Sequence, residues 1–333
     1  MGTSFMTGAR PRGARDCRRA SLKILGASRW VLPPLLASLS VAAVAVYHLV
    51  VPGPVRAQSG PWSDSLLPRL RAAATMVPGP APMAVRVMRF GPMSLPESYF
   101  LQDGTARTIP ATYTVFQLRF ADGWIMVDAG MDPEVSGDSS AAYRAAHEVV
   151  QRALRGARTI VVTHEHHDHV AGVIRSPALR MIAPKTLLNR AQVRTLQDRP
   201  NVPQIRLDSV SAGAYLVVDF DFLLPLTPGV VLVRAPGHTP GSQLVYVRLD
   251  SGKEVLLIGD VAWSMAGVEQ RRQKPDSISK DIGEDSAAIQ AELDWLNRVN
   301  STTSVAIANS HDDRWLKELI RRGALVEGLD LRE

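Results

Sequence analysis

The sequence predicts an α/β fold in which an antiparallel-rich pair of sheets is covered by helices. Short, β-branched apolar runs follow one another in hairpin order, as at 113–120 and 123–128. Amphipathic segments such as 139–154 lie between these runs and place apolar side chains at helical spacing. His and Asp residues come directly after several of the predicted strands, where the chain would leave a sheet.

Each element rests on the spacing of its apolar residues. In the first half we predict strands at 84–90, 113–120, 123–128, 159–163 and 179–183, and helices at 139–154, from Val170, and at 186–197. The helix at 139–154 has Tyr143, Val150 and Leu154 on one face. In the second half we predict strands at 215–220, 230–235, 244–249, 254–259 and 304–309, and helices at 285–299 and 313–322.

The net charge of +6 does not indicate a nucleic-acid partner, because of where the charge lies. Residues 1–56 hold eight basic residues and one acid, which leaves about −1 for the rest of the chain. The single cysteine, Cys17, lies in this basic segment, so neither an intrachain disulfide nor a thiolate metal site is possible. We therefore predict a small-molecule substrate and no nucleic-acid partner.

The amino-terminal segment predicts export or anchoring in a membrane. Residues 30–51 carry no formal charge and are long enough to cross a hydrocarbon layer of about 30 Å as a helix. The basic flank before them is expected on the cytoplasmic side, and VRAQ (55–58) matches a signal-peptide cleavage site. We expect 1–57 to be a signal peptide or an uncleaved anchor, 58–83 a Pro/Gly/Ala-rich linker, and 84–333 a periplasmic or otherwise extracytoplasmic catalytic domain.

Four histidines and two acids fill the six positions 164–169, directly after an apolar strand. His164 and His166 are two residues apart, so on leaving a strand they project to the same side and can bind one ion. The chain then turns toward a helix, and Asp168 and His169 point to a second ion beside the first. The cluster is therefore interpreted as the first half of a metal site.

Three more residues follow predicted strands and are expected to converge on this cluster. His238 would complete a three-histidine set on the first ion, His311 would join Asp168 and His169 on the second, and Asp260 would bridge both. Nitrogen and carboxylate ligands without sulfur suit two zinc ions, with iron or manganese as alternatives. Two cations leave room for a bridging hydroxide and lower the pKa of that water toward neutrality, which supplies a nucleophile.

This pattern resembles the metallo-β-lactamase superfamily over roughly 84–322. Its signature HxHxDH stands here as His164, His166, Asp168 and His169, and the later motifs follow in the superfamily's order. The resemblance implies a four-layered αββα sandwich, here preceded by the amino-terminal hydrophobic helix. It also implies that Asp168 is a catalytic proton shuttle and that Asp128 orients a metal ligand without binding the metal.

Differences from the superfamily's branches narrow the expected reaction. Asp260 stands where one β-lactamase subclass carries Cys, and a second subclass lacks this bridging Asp, which makes β-lactam hydrolysis the weaker prediction. The ligand set is similar to that of lactonase-like and glyoxalase II-like members. In lactonase-like members a Tyr usually follows the bridging Asp by three residues, whereas this chain has Trp263, whose indole can donate a hydrogen bond but is not an acid.

The sequence thus predicts an exported dinuclear zinc hydrolase whose metal-bridging hydroxide attacks an ester, lactone or thioester carbonyl. The alternatives are β-lactamase-type amide hydrolysis and a membrane-tethered metal-binding protein with little turnover. We expect His167 either to face solvent or to lie beside the ligands without binding metal. The segment 97–111 is a candidate lid, and 262–284, with Arg271, Arg272 and Lys274, is either a solvated loop or a segment that overhangs the cleft.

Overall fold

Two β-sheets packed face to face form the frame of the structure, a computed structural model that describes residues 61–332. The predicted signal peptide or anchor and its hydrophobic helix lie outside the described residues. The first sheet contains β1 (Ala84–Pro96), β2 (Thr108–Phe120), β3 (Gly123–Val127), β4 (Thr159–Val161), β5 (Thr186–Leu188), β6 (Leu216–Val217) and β12 (Val326–Glu327). The second contains β7 (Leu223–Thr227), β8 (Val230–Arg234), β9 (Gln243–Arg248), β10 (Glu254–Leu257) and β11 (Ala306–Ala308).

Strand pairing divides each sheet into an antiparallel and a parallel part. The strand order of the first sheet is β12-β1-β2-β3-β4-β5-β6, antiparallel from β1 to β3 and parallel from β3 to β6. The order of the second is β11-β10-β9-β8-β7, antiparallel except for the β10–β11 pair. As a result, the carboxyl ends of β3, β4 and β5 lie at one edge of the first sheet, and those of β8, β10 and β11 lie at one edge of the second.

Helices cover the outer faces of both sheets. The helices of residues 61–332 are α1 (Leu66–Ala73), α2 (Glu97–Phe100), α3 (Pro133–Ser136), α4 (Ala141–Gly156), α5 (His167–Ile174), α6 (Leu179–Ile182), α7 (Arg190–Asp198), α8 (Ser209–Ala212), α9 (Met265–Gln270), α10 (Asp276–Ile282), α11 (Ser286–Thr302) and α12 (Asp313–Arg321). Two short 3-10 turns lie at Ala183–Lys185 and Pro203–Ile205.

The alternation of side chains along each strand produces three apolar layers. In β8, Val230 and Leu232 pack between the sheets, whereas Val231 and Val233 pack under the outer helices. This is the two-residue period of a strand that is buried on both faces. The first sheet has its own outer layer, which includes Met126 and Ile160 against α4 and α5. The order helix, sheet, sheet, helix confirms the predicted α/β class and the four-layered sandwich.

The predicted linker at 58–83 is corrected over its described residues. Leu66 and Leu70 of α1 are fully buried in the cluster that contains Trp295 and Leu296 of α11. Arg71 also donates two hydrogen bonds, of 2.8 and 2.7 Å, to Glu254. The Pro- and Gly-rich composition predicted a linker, but the segment contains an eight-residue helix whose leucines lie on one face. The compact domain therefore begins before residue 84.

Several element boundaries also differ from the prediction. The predicted strand at 179–183 is helical, and the predicted helix at 186–197 begins with strand β5 before α7 starts at Arg190. Asn189 forms a capping box with Gln192, which sets the start of α7. Helix α5 starts at His167 rather than Val170, and strand β7 was not predicted.

None of the helices within residues 61–332 combines the length and the apolar character that crossing a membrane requires.

The burial of α1 makes a testable prediction. Replacing fully buried Leu70 with Ala should lower the free energy of unfolding by about 2–5 kcal/mol, because the truncation removes apolar contacts and leaves a cavity. Met76 is 58% exposed just after the helix, so Met76→Ala is the matched control and should change stability little. Urea denaturation of both variants measures this. Equal stability of Leu70→Ala and the wild type would mean that α1 is not part of the fold.

Candidate metal centre

The predicted ligands lie where strands end at one edge of the two sheets. The segment 164–169 follows β4, and Asp128 follows the neighbouring parallel strand β3. In the second sheet, His238, Asp260 and His311 follow β8, β10 and β11, which run in the same direction. Strand direction therefore brings together residues that are far apart in the chain.

The start of α5 divides the histidine cluster between two directions. His166 is the N-cap of the helix and has an extended backbone, with φ −73° and ψ 153°. The chain becomes helical at His167, so Asp168 and His169 lie in the first turn of the helix, whereas His164 and His166 belong to the extended segment before it. This local geometry matches the turn that the sequence predicted.

The structure brings all seven predicted ligands into two adjacent groups. Within each group the potential ligand atoms lie within 4.8 Å of one another. The groups are His164, His166 and His238, and Asp168, His169, Asp260 and His311. In the first group, His238 Nε2 lies 3.0 Å from His166 Nδ1.

Asp260 lies between the two groups. Its Oδ2 atom is 3.7 Å from His164 Nε2 and 3.6 Å from His238 Nε2. Its Oδ1 atom is 3.3 Å from His169 Nε2, and Oδ2 is also 3.2 Å from His311 Nε2. One carboxylate therefore contacts both groups, as the bridging role predicted for it requires.

The ligand atoms suit divalent cations because they are buried and lack other partners. His164 Nε2, His169 Nε2 and Asp260 Oδ1 have no hydrogen-bond partner among the described residues, and their side chains are 1–4% exposed. Buried polar atoms in folded proteins are nearly always paired, so such a cluster needs another occupant. Imidazole and carboxylate donors at this spacing fit zinc, iron or manganese.

The protonation of the histidines differs between the two groups. Burial lowers the pKa of His164 well below its usual value and that of His166 to about 3, so both rings are neutral, which is the metal-binding form. Burial also opposes charge on His169, but the carboxylates of Asp168 and Asp260 outweigh it and raise its pKa. A cation bound at the second group would displace this proton.

In His169, His311 and His238, the ring nitrogen that does not face the other predicted ligands contacts an acceptor elsewhere in the fold. Asp128 Oδ2 lies 2.8 Å from His169 Nδ1, in the position predicted for a residue that orients a ligand. Asp128 itself is held by Thr163, whose backbone N–H donates to Oδ1 at 2.7 Å. Its backbone has a φ of +64°, which is rare for a residue other than glycine and directs the carboxylate inward. His311 Nδ1 contacts the Thr112 carbonyl at 3.0 Å.

Sequence reasoning missed the contact that orients His238. Glu284 Oε1 lies 2.6 Å from His238 Nδ1 and 2.6 Å from Lys274 Nζ, and Lys274 is only 3% exposed. The predicted solvated or overhanging loop at 262–284 is thus wrong at Lys274, although Arg271 is exposed. Glu284 lies in the charged sequence DIGED (281–285), which looks like an ordinary surface turn, and no periodicity indicated its burial.

Trp263 contacts the bridging carboxylate. Its Nε1 donates a 2.7 Å hydrogen bond to Asp260 Oδ2, so the indole N–H is already used. The ring stacks on Tyr99, with centroids 5.5 Å apart and planes at 19°. Trp263 therefore supports Asp260 and presents an aromatic face beside it.

An open cleft of about 440 Å³ lies over the two groups. Its walls are mainly apolar and aromatic, and the ligands form its base. The lining includes Met93, Leu95, Tyr99, Phe100, Tyr113 and Trp263. The predicted lid at 97–111 is the tip of the long β1–β2 hairpin, where Tyr99 is 40% exposed and Phe100 is buried. His167 also lines the cleft, partly exposed, with Nδ1 2.8 Å from Asn201 Nδ2.

Several solved structures share this fold at low sequence identity. An N-acyl homoserine lactone hydrolase, with N-hexanoyl-L-homoserine at its catalytic metal centre, is 16% identical over 72% of this chain and 96% of its own, with a TM-score of 0.57. A quorum-quenching N-acyl homoserine lactone lactonase is 17% identical over 72% and 95%, also with 0.57. A probable metal-dependent hydrolase from Staphylococcus aureus is 12% identical over 71% and 91%, with 0.54. No curated protein matches the chain in sequence.

A family model described as the beta-lactamase superfamily domain matches residues 123–306, more than half of the chain. The match includes Asp128, the 164–169 cluster, His238 and Asp260, and His311 lies just beyond it. The chain therefore belongs to the beta-lactamase superfamily.

Proposed function

We propose that this metal-dependent hydrolase binds two zinc ions and cleaves a lactone or carboxylic ester that carries an apolar substituent. The observation that carries the proposal is Asp260, whose two oxygens face both ligand groups at the base of an apolar-walled cleft. One ion would be held by His164, His166 and His238, the other by Asp168, His169 and His311, and both by Asp260. Two zinc ions there would lower the pKa of a water molecule and polarise the substrate carbonyl.

Asp168 is the proposed proton carrier. Its side chain is 12% exposed, more than Asp260 at 3%, and it lines the cleft. Its Oδ2 atom faces His169 and His311 at 3.5 and 3.4 Å, which leaves Oδ1 for proton transfer to the leaving oxygen. The positive charges of these histidines outweigh the effect of burial and lower the pKa of Asp168, so it starts ionised and can accept a proton.

Tyr113 is the proposed hydroxyl donor to the substrate. It lines the cleft, and its ring centroid lies 5.9 Å from that of His311. Burial and the charge of Asp168 raise its pKa to about 12, so the phenol stays protonated at neutral pH. Trp263 does not serve this purpose, because its N–H is bound to Asp260.

The apolar wall supports the substrate class. Met93, Leu95 and Phe100 from the β1–β2 hairpin and Tyr99 stacked on Trp263 form a surface beside the ligands that favours a hydrocarbon substituent over a charged one. Two similar structures are enzymes that act on N-acyl homoserine lactones, which consist of a lactone with an acyl chain. The same chemistry on an amide, as in a β-lactam, is the alternative.

Export is part of the proposal. The charge-free run at 30–51 behind a basic flank supports translocation, with cleavage after Ala57 or retention as an anchor. Amino-terminal sequencing of the protein recovered from its producing cells distinguishes the two outcomes. Detection of the intact chain in the cytoplasm alone would contradict export.

Metal content and hydrolysis test the function together. The zinc-loaded protein should hydrolyse lactones or esters with long acyl substituents faster than β-lactams, and Asp260→Asn should lose at least one zinc ion and on the order of 10²-fold in kcat, because the bridging charge is removed. Asp64 is 88% exposed, so Asp64→Asn is the matched control. Elemental analysis and a substrate panel provide the measurements.

Three results would contradict the proposed function. A wild-type protein that binds no transition metal would remove the metal site. Full activity and full zinc content in Asp260→Asn would remove the bridging role and the hydrolysis that depends on it. Zinc binding without turnover on any lactone, ester, thioester or β-lactam would instead favour the metal-binding protein considered from the sequence.

Removal of the Tyr113 hydroxyl should affect turnover without affecting the metals. Tyr113→Phe should lower kcat on the order of 10²-fold, the usual effect of losing one donor to a developing oxyanion, at unchanged zinc content. Tyr215→Phe is the control, because Tyr215 is buried, its hydroxyl has no hydrogen-bond partner among the described residues, and it lies outside the cleft lining. Steady-state kinetics on the preferred substrate would contradict the role if both variants had the same kcat.

A further inference from the structure

The His238 ring is oriented by a carboxylate from a distant segment. His238 lies in the turn after β8, and its Nδ1 faces Glu284 Oε1 at 2.6 Å. A ring nitrogen that faces an ionised carboxylate carries the proton, so Nε2 is left unprotonated. This Nε2 atom faces His166 and Asp260. Glu284 thus determines both the tautomer and the direction of this ring.

The turn after α10 places Glu284 there. Helix α10 ends at Ile282, and Gly283 takes a left-handed conformation with a φ of +78°. Ser279 then receives the Glu284 backbone N–H on its carbonyl at 2.9 Å and donates its hydroxyl to Glu284 Oε2 at 2.7 Å. The next residue, Asp285, donates its N–H to the Gly237 carbonyl at 2.8 Å, which ties this turn to the one that carries His238.

Lys274 joins this carboxylate to the bridging aspartate's main chain. Its ammonium group donates to Glu284 Oε1 at 2.6 Å, to the Asp260 carbonyl at 2.8 Å and to the Val261 carbonyl at 3.3 Å. Each of the three N–H donors of the ammonium group therefore has an acceptor. The ammonium nitrogen also lies 5.0 Å from the centroid of the Trp263 ring. One buried cation thus contacts the backbone at the end of β10 and, through Glu284, the ring at the end of β8.

We propose that Lys274 and Glu284 form a positioning pair that sets the separation and orientation of His238 and Asp260 and thereby the affinity of the first metal site. Neither side chain binds metal in this proposal. The inference rests on the proposed metal binding. It adds a role for the segment 262–284, which would hold His238 and Asp260 in place through contacts outside the cleft.

Stability alone is a weak explanation for this pair. Two buried charges lose their hydration, and their attraction often does no more than offset that loss, so apolar residues of similar size stabilise a fold as well or better. The pair instead contacts a ligand's ring and another ligand's backbone, where the loss of such outer contacts typically weakens metal binding about 10- to 100-fold. Its position is therefore better explained by ligand geometry.

Zinc affinity of the full-length protein tests the inference. Glu284→Gln keeps the size of the side chain but removes its charge. It should lower the affinity for one of the two zinc ions about 10- to 100-fold and leave the affinity for the other within about threefold of the wild type. Competition with a chromophoric chelator measures both affinities, and the absorption bands of the cobalt-substituted protein should change for one ion only. Glu254→Gln is the matched control, because Glu254 is also paired with a cation, Arg71, but lies at the opposite end of β10.

The double variant Lys274→Met/Glu284→Gln separates positioning from charge balance. It leaves no unpaired buried charge, so folding should be retained while one zinc ion stays weakly bound. The inference is overturned if both affinities match the wild type in either folded variant, or if neither variant folds, since a purely structural role would then suffice. If the wild type binds no zinc, the proposed function fails and the inference with it; unchanged variants of a zinc-binding wild type overturn the inference alone.

Discussion

Burial of metal-ligand atoms that have no other partner is the constraint on which the rest of this structure depends. His164 Nε2, His169 Nε2 and Asp260 Oδ1 are removed from water and have no hydrogen-bond partner in the part of the chain that the structure describes. Such an arrangement is costly in an empty protein and becomes favourable when a cation occupies it. The two sheets hold these atoms in place, because the strand ends that carry them cannot move apart without breaking the backbone hydrogen bonds between neighbouring strands.

Three of the predicted ligand histidines are also held at their second ring nitrogen, each by a different part of the chain. Asp128 holds His169, the Thr112 carbonyl holds His311, and Glu284 holds His238. These supports come from β3, from the β1–β2 hairpin and from the segment after α10. The site is therefore assembled by the whole domain, and the spacing of the HxHxDH motif supplies only part of its geometry.

The sequence predicted the site more accurately than the frame around it, for physical reasons. Ligands such as His238 and His311 follow strongly apolar strands, and buried strands with polar residues at their ends are a strong local signal. Helix α1 was interpreted as linker because Pro and Gly dominate its surroundings, and β5 and α6 were exchanged because short apolar runs have no decisive period. Glu284 was missed, and Lys274 was assigned to a solvated or overhanging loop, because only tertiary packing converts this charged segment into a buried ion pair.

The two sides of the apolar wall differ in how they are connected to the base of the cleft. Tyr99 belongs to the tip of the β1–β2 hairpin, away from the strand ends that carry the predicted ligands, whereas Trp263 lies in the loop after β10 with Asp260 and donates a hydrogen bond to it. Exchange of side chains at the tip leaves the positions of the coordinating atoms intact. Substitutions at the tip would thus change which substituent fits the cleft, whereas a substitution of Trp263 would alter the wall and the support of Asp260 together.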